Sequence, residues 1–172
     1  MQHPKAKAQA REAFQIRLQN YKTAGHPIIY IDESGFSHDM PRRYGYSPKG
    51  QRCYGQHNWQ ARGRTNIMGA LLEKALLTVC AFTSNINSDI FHAWITQDLL
   101  PKVPLNSVMV MDNASFHKRK DIQDAIKNAG FILEYLPVYS PDLNPIEKKW
   151  AHAKARRRKE RCDVDHLFSF FN

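Results

Sequence analysis

Two stretches of the chain are apolar without interruption, and both run into an aspartate. Ile28-Ile29-Tyr30-Ile31 precedes Asp32, and Val108-Met109-Val110-Met111 precedes Asp112. Continuous runs of this kind predict central strands covered on both faces. Residues 66–72 and 75–82 read as two further strands joined by the polar turn Glu73-Lys74, and residues 131–136 as a fifth. Between the strands the apolar period lengthens. After Ser88, a good N-cap, the residues Phe91, Trp94, Ile95 and Leu99 keep helical spacing, and Pro101 follows the end. Ile122, Ala125, Ile126 and Ala129 repeat the pattern, with Gly130 at the position just past a helix. Ser140-Pro141-Asp142-Leu143 reads as a turn, and a last helix opens at Asn144-Pro145-Ile146-Glu147 and runs to about Arg161. Residues 1–24 also read as helix, closed by Gly25-His26-Pro27. This order predicts an α/β fold: a mixed five-stranded sheet, three antiparallel strands then two parallel, flanked by helices. Residues 1–26 form a basic N-terminal helix or linker, and residues 27–172 one domain.

Charge narrows the choice of partner. The 172 residues carry a formal net charge of +9, which favours a polyanion such as nucleic acid, because cations that neutralise phosphates release counterions. The three cysteines are odd in number and form no C-x-x-C pair, against a disulfide framework or a structural zinc site. No window approaches a membrane span and the first residues lack a signal-peptide core, so a cytoplasmic, DNA-associated location is expected.

Against that positive background the acids stand out. If the strands at Ile28 and Val108 are neighbours, Asp32 and Asp112 face each other at the carboxyl ends of the sheet, where sites form in α/β proteins. Such a pair repels itself unless a cation lies between, and hard carboxylate oxygens suit Mg²⁺. Aspartates also end strands simply as turn residues. Glu147 has its own structural explanation. With Asn144 as N-cap and Pro145 at N1 it would occupy N3 of a capping box.

The blocks IIYIDESGF, VMVMDNASFH and YLPVYSPDLNPIEKKW resemble the three catalytic blocks of mariner-like and bacterial insertion-sequence transposases with an Asp-Asp-Glu triad. The 34 residues between Asp112 and Glu147 match the separation typical of that superfamily, and SPDLNPIE is the most specific piece. The resemblance runs from about Ile28 to Trp150. It implies a ribonuclease-H-like fold and a catalytic, metal-binding triad of Asp32, Asp112 and Glu147. It further implies Mg²⁺, with Mn²⁺ as the alternative, as two ions. The chemistry implied is metal-dependent cleavage of DNA by water, then attack of the freed 3′-hydroxyl on target DNA. The implied partners are double-stranded DNA (transposon ends and target) and a second copy of the chain. A transposase of this type would carry helix-turn-helix units ahead of the core. The roughly 25 residues before the first strand are too few for them, so that portion is expected to be separate or missing.

Other residues are ranked around the triad. His117 and Asn113 are candidates for supporting the metal ligands; His117 could equally face solvent at a helix start, and Asn113 could merely close a turn. Glu33 should point away from Asp32 because strand side chains alternate. The final helix carries Lys148, Lys149, Lys154 and Arg157 in a basic run that begins one residue after Glu147, and DNA-backbone contact is the favoured reading over a solvated face. Lys118 joins them. Arg42, Arg43, Arg62 and Arg64 lie in residues 41–66, which hold no acid and interleave Tyr44, Tyr46, Tyr54 and Trp59, a mix that can grip phosphates and stack on bases. By resemblance this insertion can clamp DNA or a partner subunit. Two alternatives compete with an active transposase domain: a non-catalytic DNA-binding remnant or regulator, and a small-molecule phosphohydrolase.

Overall fold

A computed structural model describes residues 7–38, 49–51 and 63–169. Helix α1 (Ala8–Thr23) leads into β1 (Ile28–Ser37), β2 (Arg64–Leu72) and β3 (Ala75–Phe82). Then come α2 (Ser88–Trp94), β4 (Val108–Met111), α3 (Lys120–Asn128), β5 (Ile132–Tyr135), α4 (Ile146–Glu160) and α5 (Val164–Phe168). The five strands form one sheet in the order β3-β2-β1-β4-β5. β1, β2 and β3 pair antiparallel, while β4 joins β1, and β5 joins β4, in parallel. This is the mixed sheet expected from the pattern of runs.

Strand parity divides the core in two. Ile28, Tyr30, Val108 and Val110 face one layer, where Phe14 of α1, Ile146 and Trp150 of α4, and Leu167 and Phe168 of α5 cover them. Ile29, Ile31, Met109 and Met111 face the other, against Phe91, Trp94, Ile95, Ile122 and Ile126. Apolar side chains on both faces are what a central strand requires, and they explain the uninterrupted runs.

α1 is docked rather than loose. Arg11 makes two hydrogen bonds to Asp142, at 2.9 and 2.6 Å, and Arg17 and Tyr21 both reach Glu134.

Several boundaries differ from expectation for local reasons. β1 does not stop at Asp32; β2 pairs with it as far as Ser37, and that ladder overrides the turn-forming Asp32-Glu33-Ser34-Gly35. Asn87, not Ser88, caps α2, its side chain accepting from the amides of Asp89 and Ile90. The helical run after α2 widens to a π turn at Ile95–Leu99 and tightens to a 3₁₀ turn at Leu100–Lys102. The Thr96 hydroxyl donates to the carbonyls of His92 and Ala93, which accompanies the loosened register. α4 begins at Ile146 with Pro145 as its cap residue, and no side chain caps it. The short helix α5 was not anticipated; Asp163 caps it, accepting from the amide of His166.

Candidate active site

Register brings the two aspartates together. β1 and β4 pair as Ile28↔Val108, Ile29↔Met109 and Tyr30↔Val110, a constant offset that sets Asp32 level with Asp112 just beyond the last paired rung. Neighbouring strands lie about 4.8 Å apart. β4 ends at Met111, so Asp112 is released at the strand end, whereas Asp32 stays in mid-strand, paired to Gly69 of β2. Glu147 sits on the first turn of α4 and is exposed.

The three acids differ electrostatically. Burial, and then the negative charge of Glu147, pushes Asp32 up to about 7; Asp112 pushes the same way, while a backbone amide and the Trp150 indole oppose the rise. Asp112 goes the other way, held below the ordinary carboxylate range chiefly by its hydrogen bond with His117. Among the described residues no three His, Cys, Asp or Glu side chains are close enough to one another to hold a metal ion as they stand.

His117 is more than a solvent-facing helix residue. Only 2% of it is exposed, and its ring packs 4.4 Å from that of Phe91. Its Nδ1 lies 2.6 Å from Asp112 Oδ1 and its Nε2 3.2 Å from Glu33 Oε1. Burial alone would lower its pKa, but the hydrogen bonds with Asp112 and Glu33 and the charges of both outweigh it and raise the value to about 9. The ring is therefore an imidazolium bridging two carboxylates. Glu33 does point away from Asp32, as alternation demands, but that brings it to His117; sequence reasoning gave it no role. The Ala114 amide also donates to Asp112 Oδ1.

Asp32 is gripped from the opposite face, where the Trp150 indole N–H donates to its Oδ2 at 3.2 Å. The Asn113 amide donates to the Leu136 carbonyl, so it closes the turn against the exit of β5. The capping box does not form: Glu147 lies one residue earlier in α4 than that motif needs, and the buried Asn144 Oδ1 accepts no hydrogen bond.

The basic residues separate into two kinds. Lys118 and Lys148 are exposed, and Lys149 and Lys154 half-buried; Lys118 lies over the Tyr135 ring and Lys154 over that of Phe36. Arg64 is exposed at the start of β2. Arg157 corrects the expectation of DNA contact: it is 6% exposed and donates to the carbonyls of Ser37 and Cys162, tying α4 to the end of β1. A buried guanidinium committed to two backbone carbonyls has no reach to a phosphate. Arg42, Arg43 and Arg62, with Tyr44, Tyr46, Tyr54 and Trp59, lie outside the described residues. Among the described residues no helix is long and apolar enough to cross a membrane.

Comparison with known proteins bears on the fold and the family. The Tc3 transposase of Caenorhabditis elegans is 27% identical over 139 residues, covering 76% of this chain and 42% of its own. A Mos1 transposase paired-end complex with left transposon end superposes with a TM-score of 0.71 at 19% identity, over 86% of this chain and 47% of that one. The catalytic domain of Mos1 mariner transposase superposes at 0.63 and 13% identity, over 99% and 80%. The fold is thus that of the Mos1 catalytic domain, the ribonuclease-H-like sheet expected, and the chain spans about half the length of the full relatives it matches. The sequence pattern of the DDE superfamily endonucleases matches residues 27–166, and the chain belongs to that family.

Proposed function

We propose that the chain is the catalytic domain of a transposase, cleaving DNA strands and joining them to a target, with Asp32, Asp112 and Glu147 holding the divalent metal it depends on. One observation carries the reading: two aspartates at the same level of adjacent parallel strands, one of them half-buried and pushed up by that burial and then by the charges of Glu147 and of its neighbour. His117 meets the charge of Asp112, and the negative charge that Asp32 and Glu147 crowd together is left for a cation to meet. The donor set is all hard oxygen, which suits Mg²⁺ or Mn²⁺, as two ions. Mos1 complexes are described with Mn and with Mg. When bound, such ions supply charge stabilisation to the attacking and leaving oxygens of a phosphodiester.

The chain's own residues do the rest. His117 engages Asp112 Oδ1 and fixes the orientation of that carboxylate, while Glu33 fixes the far side of the ring. Lys118, Lys148, Lys149, Lys154 and Arg64 offer a basic surface around the acids for the DNA backbone. The working unit is residues 27–172, with α1 docked on it through Arg11 and Arg17. Double-stranded transposon ends and target are its substrates, in a homodimer acting on cytoplasmic DNA. The SPDLNPIE block favours the bacterial insertion-sequence branch.

The test is nicking of supercoiled plasmid and of transposon-end duplexes with Mg²⁺ or Mn²⁺. Asp112→Ala should abolish the product and leave the circular-dichroism spectrum intact; undiminished cleavage rejects the proposal. Salt-sensitive DNA binding with no metal-dependent product would instead favour the non-catalytic remnant.

A further inference from the structure

We infer that Trp150 is the positioning residue of Asp32: its indole N–H holds the carboxylate at a fixed angle, and Gly69 keeps open the slot the indole occupies. The inference rests on Asp32 and Glu147 being metal ligands, as proposed above.

Three observations converge on it. The Trp150 indole nitrogen donates to Asp32 Oδ2 at 3.2 Å, and Trp150 is only 1% exposed, so the bond is shielded from water. Gly69 is the β2 partner of Asp32. A Cβ at that position would stand 2.6 Å from Trp150 Cη2 and 3.0 Å from Cζ2, distances that no side chain can occupy while the ring stays. The rung opposite the acid therefore carries no side chain, and the indole lies across it. From behind, Phe168 of α5 meets the indole edge-on at 6.3 Å.

Helix geometry gives the arrangement its use. Trp150 follows Glu147 by three residues, one turn along the same face of α4. The helix that carries one acid thereby grips the other. Seating the indole over Gly69 sets the angle of Asp32 and the distance of Glu147 from it in a single packing event. An apolar residue of similar size would fill the slot but leave Asp32 free to rotate. Supporting hydrogen bonds of this kind typically change metal affinity by about 10–100-fold when removed.

The experiment measures Mn²⁺ binding to the full chain by calorimetry, alongside thermal stability. Four proteins are compared: wild type, Trp150→Phe, Gly69→Ala, and the chain with 3-benzothienylalanine at position 150. That last residue keeps the shape of the ring and replaces its N–H with sulfur. Should Trp150→Phe fail to fold, the benzothienyl protein answers alone. The expected result is Mn²⁺ affinity weakened by about 10-fold or more in the benzothienyl protein at near-unchanged melting temperature. A parallel loss is expected in Gly69→Ala, where the ring must move. In wild type the Trp150 indole proton should resonate at a shifted NMR position that Asp32→Asn displaces. Wild-type Mn²⁺ affinity in the benzothienyl protein overturns the inference and leaves the triad standing. Absence of any Mn²⁺ binding by wild type overturns the metal reading itself, and this inference with it.

Discussion

Replacing His117 by Gln tests the bridge between Asp112 and Glu33 through its pH signature. The imidazole is raised from 6.5 to about 9 and is almost wholly buried. The folded protein therefore binds this proton more tightly than the unfolded chain does. The resulting stabilisation is fully present below the unfolded value near 6.5 and is lost as the pH rises through about 9. At about 1.4 kcal/mol per pKa unit, the metal-free wild type should lose about 3 kcal/mol relative to His117→Gln across that window. Asp32, raised to about 7, adds its own decline between its ordinary value of 3.8 and 7. Both proteins carry Asp32, so that decline largely cancels in the difference. The assay is urea unfolding in the presence of a chelator at a series of pH values, with the two stabilities subtracted. A difference that stays flat from pH 6.5 to 9 would refute the charged bridge and leave His117 as a packing residue against Phe91.

Other substitutions separate fold from function. Arg157→Met should destabilise by about 1.5–3 kcal/mol, because the buried guanidinium's hydrogen bonds to the Ser37 and Cys162 carbonyls are lost; its urea midpoint should drop while the folded fraction binds DNA as wild type does. Lys148→Ala and Lys149→Ala should do the reverse, leaving the midpoint in place and reducing the salt slope of DNA binding by about one each. Arg11→Ala should cost about 1.5–3 kcal/mol by removing the two bonds to Asp142, and hydrogen exchange should then show α1 opening ahead of the sheet. If α1 and the sheet open together, the pair is not what fastens the helix.

The sheet was legible because its central strands are written as unbroken apolar runs. Tertiary pairing hid the rest. Nothing local in Asp32-Glu33-Ser34-Gly35 announces a continuing strand; the ladder to β2, thirty-odd residues away, extends it. Asp112 and Asp32 could be placed together from strand ends alone, but the roles around them could not. His117 could be singled out by its spacing from Asp112, yet only the burial of its ring beside Phe91 brings it to Glu33. Trp150 entered the sequence reading only as the end of the third motif block, and Gly69 not at all, since their meaning lies in an approach across the sheet. Arg157 was misread because a basic run looks uniform in sequence. A helix turns about 100° per residue, so the same run places some of its cations inward.

The register that aligns Asp32 with Asp112 also limits what can move. Two side chains borne at one level of adjacent paired strands cannot change their spacing by small amounts; a strand slips by whole residues or not at all, and a slip of one would send Asp32 to the opposite face. Those two acids act as the fixed jaw of a vice. Glu147, exposed on the opening turn of a helix, is the member whose side chain can swing without breaking a backbone bond. If the three acids hold metal as proposed, adjustment to ions of different size falls to Glu147, and a change in the breadth of metals tolerated should map to the turn before α4 rather than to the strands.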